Sequence, residues 1–263
     1  MATALRPWLL VLVSCGLLLE AACHGLQKGP PNDGSQRSYE VIDAAKAALE
    51  KACPGVVSCA DVVAFAARDA SALLSGGGSR ISSFAMPVGR LDGRRSQEAQ
   101  KSVLPPPFAG LDTLAARFAA KGLGVEDLVV LSGAHSVGRS HCSSFVAERV
   151  AAPSDMDAAL VARLRRQCPA TPAMGNDPVV AEDAVTPNTL DNQYYRNLLD
   201  RRVLFTSDAA LMSSPQTAAM VRGFARPDGS WETKFAAAMV KLASIGVKTG
   251  RDGEIRKNCR VVN

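Results

Sequence analysis

Apolar residues along this chain recur mostly at helical intervals. Val41, Ile42, Ala45, Ala48 and Leu49 fall at i, i+1, i+4, i+7 and i+8, one stripe of a helix. Ser58 followed by Asp61 reads as a capping box. The helix it opens, through 61–69, is apolar around most of its circumference, which predicts a buried element. Gly76-Gly-Gly78 ends that helix, and Met86-Pro-Val-Gly-Arg-Leu-Asp-Gly93 reads as turn and loop. Leu104-Pro-Pro-Pro-Phe108 cannot be helical, since its prolines lack backbone donors and hold φ near −65°. Further helices are predicted over 112–121, 125–131, 156–167, 191–201, 215–223 and 231–244, with glycine and proline in the gaps. No strand pair and no internal repeat stands out, so the pattern predicts an all-α domain.

The first residues follow another rule. Arg6 precedes an apolar run over 7–19, and the small residues Ala21, Ala22, Cys23 and Gly25 come after it. A spanning helix needs about 20 apolar residues. This shorter run with a small-residue exit reads as a signal peptide over 1–25, leaving an exported, membrane-free domain over 26–263. An apolar content of 47% is enough for a buried core. The net charge of +5 comes from basic residues scattered along the chain. That pattern argues against nucleic acid and leaves a solvated surface with weak attraction to acidic polysaccharide.

Export makes the cysteines informative, because disulfides persist outside the cytosol. Of seven, Cys15 and Cys23 leave with the leader. Five remain, and an odd number leaves one thiol without an intrachain partner.

Only His135 and His141 are left for histidine chemistry once His24 departs with the leader. His135 sits in Leu131-Ser-Gly-Ala-His-Ser-Val-Gly138, where a helix runs out among small residues that let a flat cofactor approach the ring. Taken alone, such a histidine reads equally as a residue complementing a helix end. Asp208 alone reads as a cap ahead of Ala209. The stretch 183–191 places two carboxylates and threonine hydroxyls around a proline turn, which suits a hard cation or a metal-free Asx-turn.

Ala52-Cys-Pro-Gly-Val-Val-Ser-Cys-Ala-Asp61, Leu131-Ser-Gly-Ala-His135, Asp191-Asn-Gln-Tyr-Tyr195 and Gly253-Glu-Ile-Arg256 come in the order of landmarks in the plant secretory (class III) haem peroxidases. The chain resembles that family from about Gly29 to Asn263. The resemblance implies the all-α haem peroxidase fold, as a monomer without its first helices. It implies haem b held by His135 and a carboxylate, Asp208, on the second ring nitrogen. Such a partner fixes the tautomer and makes the ring more electron-donating, which favours O–O cleavage. The resemblance also implies one calcium ion at Ser136, Asp183, Thr186, Thr189 and Asp191, with Ser136 where threonine is usual. It pairs Cys59 with Cys259 and Cys142 with Cys168, leaves Cys53 unpaired, and makes Pro105 an acceptor for aromatic donors at the haem edge. The implied reactants are hydrogen peroxide and small phenols, as in hydrogen peroxide catabolism and the response to oxidative stress. The implied place is the apoplast or cell wall, or the vacuole, where cell-wall polysaccharide is a partner.

Peroxide cleavage needs a base that moves a proton between the two oxygens and a cation beside the leaving one. The family carries both on an Arg-x-x-Phe-His-x-Cys helix followed by a second calcium loop. In this sequence Leu26-Gln27 runs straight into Lys28-Gly-Pro-Pro-Asn32, and the motif occurs nowhere. His141, beside Cys142, does not match it. Poor peroxide turnover is therefore expected of the chain as it stands. An alternative is a non-catalytic secreted protein that binds haem and calcium. A hydrolase built on Ser136 lacks the strained nucleophile turn and the oxyanion-hole motif.

Overall fold

The computed structural model describes residues 39–76, 81, 84–95, 104–227 and 230–263. The expected leader, the Gln27–Lys28 junction and the glycines at 77–78 lie outside the described residues. Helices α1 (Tyr39–Ala52), α2 (Cys59–Leu74), α3 (Leu111–Ala119) and α4 (Val125–Ser132) come first. Strand β1 (Arg139–His141), α5 (Ala158–Gln167) and strand β2 (Val179–Ala181) follow. Helices α6 (Gln193–Leu199), α7 (Thr206–Ala209), α8 (Pro215–Phe224) and α9 (Ser230–Leu242) complete the order.

The fold is helical as the apolar spacing predicts, with most boundaries within two residues of expectation. The sheet is a correction: β1 and β2 pair antiparallel, Ser140 opposite Val180. Three-residue strands are too short for an alternating pattern to stand out. Helix α1 forms where the apolar stripe predicts a helix. Its apolar stripe is partly covered, with Ile42 packed against the Cys59–Cys259 disulfide and Val41 38% exposed, while Lys46 is buried to 1%. The Lys46 ammonium lies 2.6 Å from Glu50 and also donates to the Val57 carbonyl, so the charge is satisfied where it is buried.

The capping box is half made. Ser58 Oγ accepts the Asp61 amide at 3.1 Å, but the Asp61 carboxylate accepts from the Gly89 amide and the Arg90 guanidinium at 2.8 Å each. Asp92 ties the same region together. It accepts the amides of Cys59, Ala60 and Arg256 at 2.8–3.0 Å and is itself fully buried. The predicted loop over 86–93 thus joins the start of α2 to the C-terminal segment.

Helix α4 lies at the centre. Leu128, Val129, Val130 and Leu131 are each at most 3% exposed, and α3, α8 and α9 pack around it. A helix apolar on all sides belongs where every side is covered. A second cluster joins Phe145, Val146, Val150, Leu160, Leu164, Val180, Leu204 and Phe205 beside the Cys142–Cys168 disulfide. Cys59 is bonded to Cys259, and Cys53 is free and half-buried. Among the described residues no helix is long and apolar enough to cross a membrane.

Candidate functional site

After α4 the chain tightens into a short turn, Gly133–Ser136, that carries His135. Tyr195 and Trp231 set its position. The Tyr195 hydroxyl donates to the carbonyls of Val129 and Val130 at 3.0 and 3.2 Å, and Trp231 Nε1 donates to Val130 at 3.1 Å. Those carbonyls lie in the last turn of α4, where helix acceptors lack intrahelical donors. A Cβ on Gly133 would stand 2.6 Å from Tyr195 Oη and 2.7 Å from Trp231 Nε1. Gly133→Ala is therefore expected to displace both anchors and to lower stability by about 1–3 kcal/mol. An unchanged denaturation midpoint would contradict this.

His135 Nδ1 lies 2.9 Å from Asp208 Oδ1. Asp208 is not a cap: it sits inside α7, 3% exposed, and its Oδ1 also accepts the Tyr194 hydroxyl at 2.7 Å. Two donors on one buried oxygen hold that carboxylate still. Phe205 and Tyr194 meet the imidazole edge-on, with centroids 5.2 and 6.1 Å away. Nothing among the described residues bonds His135 Nε2, and the side chain is 28% exposed. One nitrogen is fixed and the other is presented, which fits an axial iron ligand. Tyr194 belongs to a motif quoted from the sequence, yet no spacing rule assigned it to Asp208.

Glu182 is the residue sequence reasoning missed. It follows β2, is 9% exposed, and its Oε2 has no hydrogen-bond partner. Burial pushes its carboxyl up to about 8, with His135 opposing and Asp208 adding to the rise. Burial also disfavours the His135 imidazolium, but the charge and hydrogen bond of Asp208, with Glu182 behind, outweigh it and raise the pKa to about 9. Both shifts act in the same direction on the metal-free chain. The Glu182 contribution is complete below about pH 4.5 and is lost as pH rises to about 8. The His135 contribution is complete below about 6.5 and is lost as pH rises through about 9. Thermal stability should fall between pH 5 and 9, and Glu182→Gln should recover on the order of 2 kcal/mol at pH 8 with little change at pH 5. Equal effects at both pH values would refute the assignment to Glu182.

Immediately after His135, Ser136 is fully buried and donates to the Thr189 carbonyl at 2.9 Å and to Asp191 Oδ1 at 3.2 Å. Thr186 Oγ1 lies 3.3 Å from Asp183 and 3.2 Å from Asp191. The five positions expected to hold a cation are therefore brought together. Burial raises the pKa of Asp191, against hydrogen bonds from Gln193, Thr186 and Ser136 that lower it. No group of three or more His, Cys, Asp or Glu placed to hold a metal ion exists among the described residues. The donors are two carboxylates, hydroxyls and a carbonyl, all hard oxygens, and this set fits calcium. The same bonds remove Ser136 as a candidate nucleophile.

The two other sequence-marked positions lie elsewhere. His141 Nδ1 is 2.8 Å from the Asp177 carbonyl. In the proline loop, the carbonyls of Leu104, Pro106 and Pro107 take Arg117, the Ala109 amide and the Ser207 amide. The Pro105 carbonyl takes no donor among the described residues.

Residues 14–227 match the family model described as Peroxidase. The chain belongs to the plant secretory peroxidase family. It is 58% identical to Peroxidase 2 of Zea mays over 234 residues, which cover 89% of this chain and 69% of that protein. Peroxidase 1 of Zea mays is 47% identical over 243 residues, 89% of this chain and 65% of its own length. The lignin-forming anionic peroxidase of Nicotiana sylvestris is 40% identical over 234 residues, 89% and 70% of the two chains. The chain thus spans about two thirds of the peroxidases it matches. Membership accounts for the helical fold, and it implies haem, commonly with calcium.

Proposed function

We propose that this protein is a secreted peroxidase that uses haem b to oxidise small phenolic donors with hydrogen peroxide, and that the described residues form the proximal half of its site. The observation carrying this reading is the buried Tyr194–Asp208–His135 relay, which leaves Nε2 as the presented nitrogen. Haem held there by His135 would supply the redox chemistry that couples peroxide to one-electron oxidation of donors. His135 offers the lone pair, and Asp208 retains the proton on Nδ1 and strengthens the ring as a donor. Tyr194 holds Asp208, and Phe205 fixes the ring plane. Ser136, with Asp183, Thr186, Thr189 and Asp191, would hold a calcium ion next to the His135 turn. The free Pro105 carbonyl would accept a phenol hydroxyl.

The test is haem titration of the purified chain. Wild type should give a Soret shift that His135→Ala weakens by at least about a hundredfold in affinity. Asp208→Asn should weaken it by about 10–100-fold. A Soret shift indifferent to His135→Ala would sink the ligand assignment.

A second reading, a non-catalytic haem- and calcium-binding protein, is favoured by one observation. The second histidine among the described residues, His141, stands on β1 just after the His135 turn and beside the disulfide-bonded Cys142, and no Arg-x-x-Phe-His-x-Cys motif occurs in the sequence. Sequencing the transcript across the Gln27–Lys28 junction separates the readings. An intervening segment encoding the histidine and arginine helix removes the second, and a continuous junction removes full turnover from the first.

A further inference from the structure

Between β1, α5 and β2 the chain forms a cleft of about 330 Å³ whose basic lining the peroxidase reading does not use, although Asp183 of the proposed calcium set borders it. Arg139 of β1, Arg163 and Gln167 of α5, and the apolar Val179, Ala181 and Pro187 line it. Basic side chains in the last turn of a helix complement its dipole, and Arg165 and Arg166 fill that role for α5. Arg163 lies earlier, and Arg139 is not on a helix. Neither guanidinium makes an ion pair or hydrogen bond among the described residues, and Arg163 Nε is shielded from solvent without an acceptor. A partly desolvated guanidinium without a counterion is costly and gains most from an anion that restores its hydrogen bonds. Asp183, at the cleft's edge, does not serve. It is fully buried, and its carboxylate is engaged by the Val185 and Thr186 amides and the Thr186 hydroxyl.

We propose that this cleft binds a carboxylate carried on a single six-membered ring, with Arg163 and Arg139 on the carboxylate and the ring against Val179, Ala181 and Pro187. Arginine presents a planar fork of donors that matches a carboxylate with two parallel bonds. The volume is at the lower end of the range for small-molecule sites, about 300–1,000 Å³, and is suited to one ring. Gln167, at the C-terminal end of α5, offers both a donor and an acceptor to a ring hydroxyl. Such a ligand has two sources: a uronic acid unit of an acidic polysaccharide, or a free aromatic acid. The net charge of +5 attracts either from a distance.

Calorimetric titration of the full chain at low ionic strength, with galacturonate, oligogalacturonate, benzoate, inorganic phosphate and neutral galactose as probes, tests the proposal. Saturable binding of a carboxylate, weakened at least tenfold by Arg163→Gln and by Arg139→Gln, supports it. Tighter binding of the uronates identifies polysaccharide as the source, and tighter binding of benzoate identifies an aromatic acid. Arg139 is exposed, so its substitution leaves the packed residues in place. Absence of carboxylate binding, binding indifferent to both substitutions, or phosphate and galactose binding as well as the acids would overturn it.

Discussion

Supplied with haem, calcium and hydrogen peroxide, this chain is expected to oxidise guaiacol at least about a thousandfold more slowly than peroxidases that carry the distal histidine and arginine. A positioned base contributes about 10²–10⁴ to a proton-transfer step. A cation or donor at the developing charge contributes about 10²–10³ more. The chain has no motif for either, and His141 stands on β1 six residues beyond His135 and beside the disulfide-bonded Cys142, outside any such motif. In the proposed reading the chain keeps His135 and Asp208, which would make a bound iron more electron-rich but would move no proton on peroxide. The rate should therefore depend weakly on pH between 5 and 8, without the rise that marks a titrating distal base. Turnover at the rate of intact family members would sink this expectation and with it the non-catalytic reading. A slow rate abolished by His135→Ala would tie the residual activity to the proposed ligand.

The candidate site was legible mainly through the resemblance to a family, because its residues taken alone also read as helix-end and turn positions. His135 and Ser136 are neighbours, and Asp183, Thr186, Thr189 and Asp191 fall within one short loop. The resemblance to a family then supplied Asp208, which no local pattern would have chosen over a helix cap. Tyr194 and Glu182 were not legible. Tyr194 acts through a hydrogen bond to Asp208, 14 positions on, and Glu182 through its charge on His135, 47 positions back, and neither residue type at its position announces a partner. Lys46 escaped for a related reason: an apolar stripe predicts which face turns inward, but the face that is buried depends on where Glu50 and Val57 stand. The short β1–β2 pair lies below the length at which alternation separates a strand from a loop.

Removing the disulfide between Cys59 and Cys259, as Cys59→Ala with Cys259→Ala, is expected to cost about 5 kcal/mol of stability. Removing Cys142–Cys168 should cost about 3.5 kcal/mol. The difference lies in the unfolded chain. The first bond closes a separation of 200 residues and the second one of 26, and the entropy withheld from the unfolded ensemble grows with the logarithm of loop length. In the native state the long bridge has little ordering left to do. Asp92 already draws the Cys59 and Ala60 amides and the Arg256 amide to one carboxylate, so both ends of the loop stay in place when the sulfurs are gone. The double variant should therefore keep the helical spectrum of wild type while its denaturation midpoint falls. Asp92→Ala in the same background should lower the midpoint by more than it does in wild type, because the two devices hold the same pair of segments. Domains of this kind have about 5–15 kcal/mol in all, so a loss of this size brings the chain close to unfolding at 25 °C. If removing the shorter bridge costs more than removing the longer one, loop entropy is not what these bonds contribute, and strain or packing around Cys142 and Cys168 would have to replace it.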